Sequence, residues 1–567
     1  MVITLASWLC LLIILECLSR AFLKKINTPL DSNDFFLARQ YIALNLIATL
    51  LLIVSIFGSI SAFIFPTILL LSIYLYRQQI LVWIRGFSNK CYSNELIIIL
   101  IGLVIHSAYS SQVIYLGDTG GYHFGFIKWL SQFGVVPGLA HLEPRFGFGS
   151  SWLTLSALFN HDFLEGRSGA LINGYLFLCC SVQIYFFKKN RSVDVANIFL
   201  TIALILVIPY SLRSGVVLSP SPDFAIHLLG PVVAFIILKK VPNEVNLLLL
   251  LSSMAFNTKL SSLPLLAWTS LRKVGWKFKF NSLLVIAGIL ITPICVVNFI
   301  TSGYPLYPST LIQLNSDWAL SLHAAQKIKN DIFTYAAFTP NYWQDLNYQT
   351  IPFAEKIYTW ATSRYEFITF FLIIVSTISF CHLKTIIPNK DQKNINVISL
   401  LAFTGIIFFM ATAPTIRFGI QWLVILPSLS ITHIIHSKNY SLKQIWLPIT
   451  TAIPFLTLSF IISPVANTQK LIYSAIDNKI IEFNGNSSLN IIFPPPIPNV
   501  ATENATASPI ANKITPLFYK RNSAGINIIE GPQCWNVPIP CATMMNFEIF
   551  KSNIWHKSGY KQKRQTD

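Results

Sequence analysis

An aspartate, a histidine and three glycines stand together where an apolar run ends, in Tyr115-Leu-Gly-Asp118-Thr-Gly-Gly-Tyr122-His123. A carboxylate can orient an acceptor hydroxyl or remove its proton, and glycines let a ligand approach the backbone closely. The run 95–115 holds enough apolar residues to cross ~30 Å of hydrocarbon. Asp118 is therefore expected at a membrane surface, where an ionisable side chain points to a site. The same side should collect His141, Glu143 and Arg145 in the loop that follows, Asp223 and His227 at the mouth of a later span, and Lys259 and Arg417. The cations suit phosphate, because guanidinium binds its oxygens in pairs and ammonium acts as a point charge. Plainer uses exist for each. Asp118 and Asp223 can cap helices, Glu143 and Arg145 can pair at a surface, and Lys259 can snorkel. His123 can be a surface histidine and Arg417 an anchor.

The elements that must position these residues are apolar helices. Hydrophobic residues make up 53% of the chain and charged residues 11%, against about 25% charged in a soluble domain. The expected fold is an all-α integral membrane protein of about 13 or 14 transmembrane helices. Apolar runs lie near 2–19, 39–58, 62–84, 95–115, 169–187, 195–211, 223–240, 243–257, 259–271, 281–300, 366–387, 395–413, 417–436 and 445–465. The runs on either side of Lys259 are short enough to form a hairpin.

The net charge of +18 argues for topology and against nucleic acid. Arg20, Lys24, Lys25 and Arg39, then Arg77, Arg85 and Lys90, then Lys188, Lys189 and Arg191, and the later clusters at Lys239–Lys240, Arg272–Lys279, Lys384–Lys393 and Lys438–Lys443, fall on one side of the count. The positive-inside rule makes that side cytoplasmic. The N-terminus, the loops 115–168 and 301–365, and the chain after 466 then face outward. The first run has its basic residues after it and none before, so it reads as a retained span.

Three regions follow: N-terminal spans over 1–94, a membrane core over 95–465 with two outward loops, and an extracytoplasmic C-terminal domain over 466–567. In the first loop, Gly121–Phe133 reads as an amphipathic helix lying in the interface, and 150–159 is apolar but too short to cross. The second loop carries Tyr304, Tyr307, Trp318, Tyr342, Trp343 and Tyr348, which suit either packing or a binding surface for sugar rings or lipid. The C-terminal region is expected to be a small α/β or β-rich unit, with strands near Leu489–Phe493 and Ile526–Glu530. Its Cys534 and Cys541 read as a disulfide formed in an oxidising compartment. The other cysteines lie in or beside spans as small buried hydrophobes. Sequons at Asn486 and Asn504 matter only in a host that glycosylates outward loops.

No Walker motif, dinucleotide fingerprint, G-x-S-x-G elbow or H-E-x-x-H pattern is present. A divalent metal at Asp118 is left open, since no ligand spacing marks one. The first large outward loop with its Asp, the interfacial helix, a second Asp at the outer start of a later span, and the hairpin with a central lysine resemble the GT-C superfamily of polytopic glycosyltransferases. Asp118-Thr-Gly-Gly-Tyr-His123, Gly134-Val-Val-Pro-Gly138, Arg145-Phe-Gly-Phe-Gly-Ser-Ser151, Ser302-Gly-Tyr-Pro305, Ala413-Pro-Thr-Ile-Arg417-Phe-Gly and Gly531-Pro-Gln-Cys-Trp535 through Cys541 are similar to a family of bacterial envelope membrane proteins associated with surface polysaccharide synthesis. The resemblance covers about 95–545. It implies a polyprenyl-phosphate-linked sugar donor, a glycan or lipid acceptor, and transfer on the outer face of the cytoplasmic membrane, with Asp118 as the loop carboxylate. His123, Glu143, Arg145, Asp223, Lys259 and Arg417 are the candidate substrate-binding residues. Glycines at 120 and 121 stand where many GT-C enzymes carry a second acidic residue. The alternatives are a polysaccharide polymerase or ligase, a transporter or flippase for a lipid-linked glycan, and a non-catalytic scaffold; no repeat halves of the kind many transporters show are visible.

Overall fold

The computed structural model describes residues 1–437 apart from 29, 91–92, 113, 115, 161–167, 191–193, 275–281, 339–351, 364–365 and 387–391, and after 437 only short segments between 506 and 562. The described chain is mostly helical. Four helices come first, α1 (Val2–Lys25), α2 (Phe36–Phe57), α3 (Ile64–Lys90) and α4 (Ser93–Ser110). The first loop then carries two short helices, α5 (Phe124–Gln132) and α6 (Ser151–Ala157). Six more follow: α7 (Leu171–Lys189), α8 (Val195–Arg213), α9 (Asp223–Leu238), α10 (Glu244–Thr258), α11 (Leu263–Val274) and α12 (Ser282–Ser302). The second loop holds α13 (Leu322–Phe338) and α14 (Phe353–Thr362). The last group is α15 (Phe367–Ile386), α16 (Gln392–Thr412), α17 (Ile416–Leu423) and α18 (Ile425–Ser437).

Among the described residues, eight helices are long and apolar enough to cross a membrane: α1, α2 with the turn before it, α7, α8, α12, α15, α16, and α17 continued by α18. Shorter apolar helices, including Asp223–Leu238, accompany them. The apolar residues have two destinations. Most of those of α2, α7 and α8 are sealed inside the bundle, as with Leu37, Leu44, Phe177 and Phe199. Many of those described on α3, α12, α15 and α16, such as Leu70, Ile289, Ile378 and Ile407, lie on the exterior. An outer surface of this kind is stable against hydrocarbon rather than water, as in a multi-pass membrane protein. The expected run 445–465 lies outside the described residues.

Helix α9 marks the two ends of the bundle. Asp223 opens it, and Lys239 follows its last residue and pairs with Asp34 at 3.1 Å and Asp194 at 2.6 Å. At the Lys239 end, buried Arg39 and half-exposed Arg20 both bond Glu16, which also accepts from Gln40 at 2.8 Å. These pairs satisfy charges that would otherwise be desolvated without partners.

One expectation changes here. Gly121–Phe133 is not an interfacial helix: a π turn over Thr119–His123 precedes α5, and Phe124, Phe126, Ile127, Trp129 and Leu130 are all buried. Apolar residues at 124 and 127 widen the stripe seen at 126, 129, 130 and 133, so that α6 packs on α5 and the helix is internal. The segment 150–159 does form only a short buried helix, α6, started by Ser150 Oγ accepting from the Trp152 amide at 3.3 Å. Tyr304 and Tyr307 are packing residues, both fully buried; Tyr304 donates to the Leu320 carbonyl at 3.0 Å. Tyr342, Trp343 and Tyr348 lie outside the described residues, as do 489–493 and both sequons. Near the C-terminus, Tyr519–Arg521 pairs antiparallel with Asn527–Ile529, which pairs in parallel with Cys541–Thr543. Cys534 and Cys541 form the expected disulfide. Lys128 on α5 donates to the Val537 carbonyl at 3.0 Å, tying this segment to the first loop.

Candidate functional site

Asp118, Asp223, Lys259 and Arg417 meet at the end of the bundle opposite Lys239. Arg417, in the first turn of α17, donates through Nε to Asp223 Oδ2 and through Nη2 to Asp118 Oδ2. The other oxygen of Asp223 accepts from Lys259 Nζ, which sits in extended backbone between α10 and the 3-10 turn Leu260–Ser262. The other oxygen of Asp118 lies 3.9 Å from Arg145 Nη1, and Arg145 Nε donates to Glu143 Oε1 at 2.7 Å. One chain of charge thus runs from Glu143 through Arg145, Asp118, Arg417 and Asp223 to Lys259. Its three carboxylates and three cations cancel.

Neither aspartate acts as a helix cap. Asp118 makes no capping bond, and Asp223, in the first turn of α9, spends both oxygens on side chains. The positive end of the α9 dipole adds to its stabilisation there. Glu143 does cap its 3-10 turn, accepting from the Arg145 amide at 3.2 Å while also holding the guanidinium.

Exposure is graded through the cluster. The Asp223 side chain is 2% exposed, those of Lys259 and Arg417 24%, Asp118 25% and Arg145 35%. The site has a sealed floor at Asp223 and opens past Asp118 and Arg145. Burial pushes the Asp118 carboxyl up, but Arg417, His123 and Arg145 together overcome it and hold it down at about 2. Burial works against the Arg145 charge, and Glu143 and Asp118 more than restore it. Asp118 and Arg145 are therefore both ionised at neutral pH. His123 is fully buried, and burial holds it down at about 4 despite Asp118. It is neutral, and among the described residues neither ring nitrogen has a hydrogen-bond partner.

Close backbone packing sets the position of Arg417. A Cβ on Gly230 of α9 would lie 2.3 Å from the Gln421 carbonyl of α17, so the two helices touch because that side chain is missing. His227, one turn beyond Asp223, donates Nε2–H to the Arg417 carbonyl at 2.9 Å, with Nδ1 2.9 Å from Ser211 Oγ. Gly121 plays a similar part for Arg145, whose guanidinium lies 3.0 Å from where a Cβ would stand.

Several contributors were not picked out from the sequence. Tyr122 stacks under the Arg145 guanidinium at 5.0 Å and Phe418 under Lys259 Nζ at 4.1 Å, so aromatic faces help hold two of the cations. Glu366, 3% exposed, accepts from Thr369 Oγ1 at 2.6 Å, from Thr415 Oγ1 and from the Ile416 amide at 3.0 Å. Trp360 Nε1 donates to the Pro414 carbonyl at 2.6 Å. Both brace the turn that delivers Arg417, and an aromatic or a carboxylate just outside an adjacent span is their only trace in the sequence. His141 is placed elsewhere, donating to the Trp318 carbonyl at 3.0 Å.

The residues do not fit a divalent metal. The Asp118 and Asp223 oxygens face cations, and among the described residues no three His, Cys, Asp or Glu side chains gather to hold an ion. What the arrangement suits is an anion. A phosphate entering past Arg145 would meet three cations that can exchange a carboxylate partner for a phosphate oxygen.

No curated protein and no solved structure matches the chain. A family model does, over residues 1–424, a range that contains the whole cluster, and the chain therefore belongs to the family described as Domain of unknown function (DUF8201).

Proposed function

We propose that this protein is a GT-C-like membrane glycosyltransferase of about 13 or 14 spans, moving a sugar from a polyprenyl-phosphate-linked donor to a cell-envelope glycan or lipid on the outer face of the bacterial cytoplasmic membrane. The observation that carries the reading is the meeting of Asp118, Asp223, Lys259, Arg145 and Arg417 in one charge-balanced cluster that opens to one end of the bundle. The basic ends of α1, α7 and α11 lie at the other, which the positive-inside rule assigns to the cytoplasm. A lipid phosphate lies at the depth of the membrane surface, the level expected of a cluster at the ends of spanning helices, and its isoprenoid tail needs an apolar exterior such as α3, α12 and α15 present.

The chemistry follows from the charges. Transfer breaks the bond between the anomeric carbon and a phosphate oxygen, and the departing phosphate gains negative charge. Arg417, Lys259 and Arg145 are placed to take up that charge in surroundings where water is scarce. As phosphate claims Arg417, Asp118 is released to orient the acceptor hydroxyl toward the anomeric carbon. The departing lipid phosphate is a probe that needs no knowledge of the sugar. Undecaprenyl phosphate is expected to bind the purified protein in nanodiscs, and Arg417→Ala to weaken binding at least about tenfold, the loss of roughly 1.5–3 kcal/mol from a charged hydrogen bond. Equal affinity in wild type, Arg417→Ala and Lys259→Ala would refute the reading.

A further inference from the structure

Among the described ionisable groups of the cluster, His123 alone has neither a hydrogen-bond nor an ion-pair partner in the resting protein. Asp118, Asp223, Glu143, Arg145, Lys259 and Arg417 are all ion-paired, and His227 is bonded through both ring nitrogens. His123 is fully buried with neither nitrogen bonded, and its ring packs on Tyr122 at a centroid distance of 4.2 Å. Leaving such a group unpaired is costly, so a partner supplied by a ligand is the natural account. It closes the π turn Thr119–His123 that Asp118 opens; bonds in such a turn span five residues, which puts His123 one turn beyond Asp118. Asp118 and Asp223 favour its protonation, and Arg417 and Lys259 oppose it.

We propose that His123 is the group that takes the proton from the acceptor hydroxyl during transfer. This rests on the transferase reading above. The acceptor oxygen forms its bond to the anomeric carbon as its proton passes to a His123 ring nitrogen. The bond from that carbon to the phosphate oxygen breaks, and its electron pair leaves with the lipid phosphate. Phosphate binding draws Arg417 from Asp118, which removes the cation that opposes the imidazolium and frees the carboxylate that supports it. Asp118 is then the positioning partner and His123 the base, and the proton returns to water once the phosphate has left.

The test uses the full chain, labelled with 15N-histidine, in nanodiscs of phosphatidylethanolamine and phosphatidylglycerol. Imidazole shifts are followed against pH with and without undecaprenyl phosphate, and His123 is assigned by its loss in His123→Gln. Proton affinity of His123 is expected to rise at least about tenfold on binding, a one-unit pKa change, and to stay unchanged in Asp118→Asn. With an acceptor and donor that turn over, His123→Gln should lose roughly 10²–10⁴-fold in kcat while its affinity for undecaprenyl phosphate stays within about twofold. Bound lipid phosphate that leaves the His123 titration unmoved, or a His123→Gln protein that transfers at the wild-type rate, overturns the inference alone. Failure of the wild-type protein to bind undecaprenyl phosphate overturns the transferase reading and this inference together.

Discussion

Replacing Arg417 by Met removes the one side chain that joins the two aspartates, and the geometry sets what should follow. Arg417 Nε serves Asp223 and Nη2 serves Asp118. Lys259 still faces Asp223 and Arg145 still lies 3.9 Å from Asp118, so neither carboxylate is stranded, yet the cluster falls from neutral to one net negative charge. Asp223 bears the larger share because its side chain is only 2% exposed and water cannot replace the lost guanidinium. Breaking a buried pair from one side costs roughly 3–5 kcal/mol; with Lys259 remaining, the expected loss is at the lower end, about 3 kcal/mol. Arg417→Met combined with Asp223→Asn restores neutrality and should recover more than half of it. The assay is reversible unfolding in mixed micelles of the wild type, both single variants and the double variant. Equal destabilisation in Arg417→Met and in the double variant would refute the charge argument, because packing alone would then account for the loss.

Three further outcomes follow. Gly230→Ala places a methyl 2.3 Å from the Gln421 carbonyl; the overpacking should cost about 1–3 kcal/mol and, by pushing α17 away, lower affinity for undecaprenyl phosphate in the same binding assay. Glu366→Ala should loosen the 413–417 turn that Glu366 holds through Thr415 and Ile416, costing about 1–3 kcal/mol for the unpaired amide and hydroxyl; an Arg417 side chain as ordered by NMR as in the wild type would count against it. His123 and His141 are both held down at about 4 by burial. Because the unfolded chain takes up these protons near pH 6.5, stability should fall as pH drops from about 6.5 toward 4. His123→Gln should flatten part of that slope, measured as melting temperature against pH in detergent.

How far the site can be read from the sequence depends on the kind of residue. Asp118, Asp223, Lys259 and Arg417 are legible because ionisable groups are scarce at the run ends opposite the basic clusters, and an alternating count of spans is enough to put them at one end. The count cannot say that Arg417 reaches two carboxylates at once. That depends on the approach of α9 and α17 across Gly230, and a glycine inside an apolar helix looks the same whether or not a neighbour touches it. The aromatic stripe on α5 is misread for a related reason. Phe126, Trp129 and Leu130 recur at helical spacing, and periodicity reports that a face is apolar without saying whether lipid or protein covers it. Here the protein does: α6 packs on α5, and Phe126, Trp129 and Leu130 are buried. His123 lies at the limit of what a sequence can disclose: its type and position are visible, whereas the property that singles it out, two buried nitrogens with nothing to bond, exists only once every neighbour has been placed.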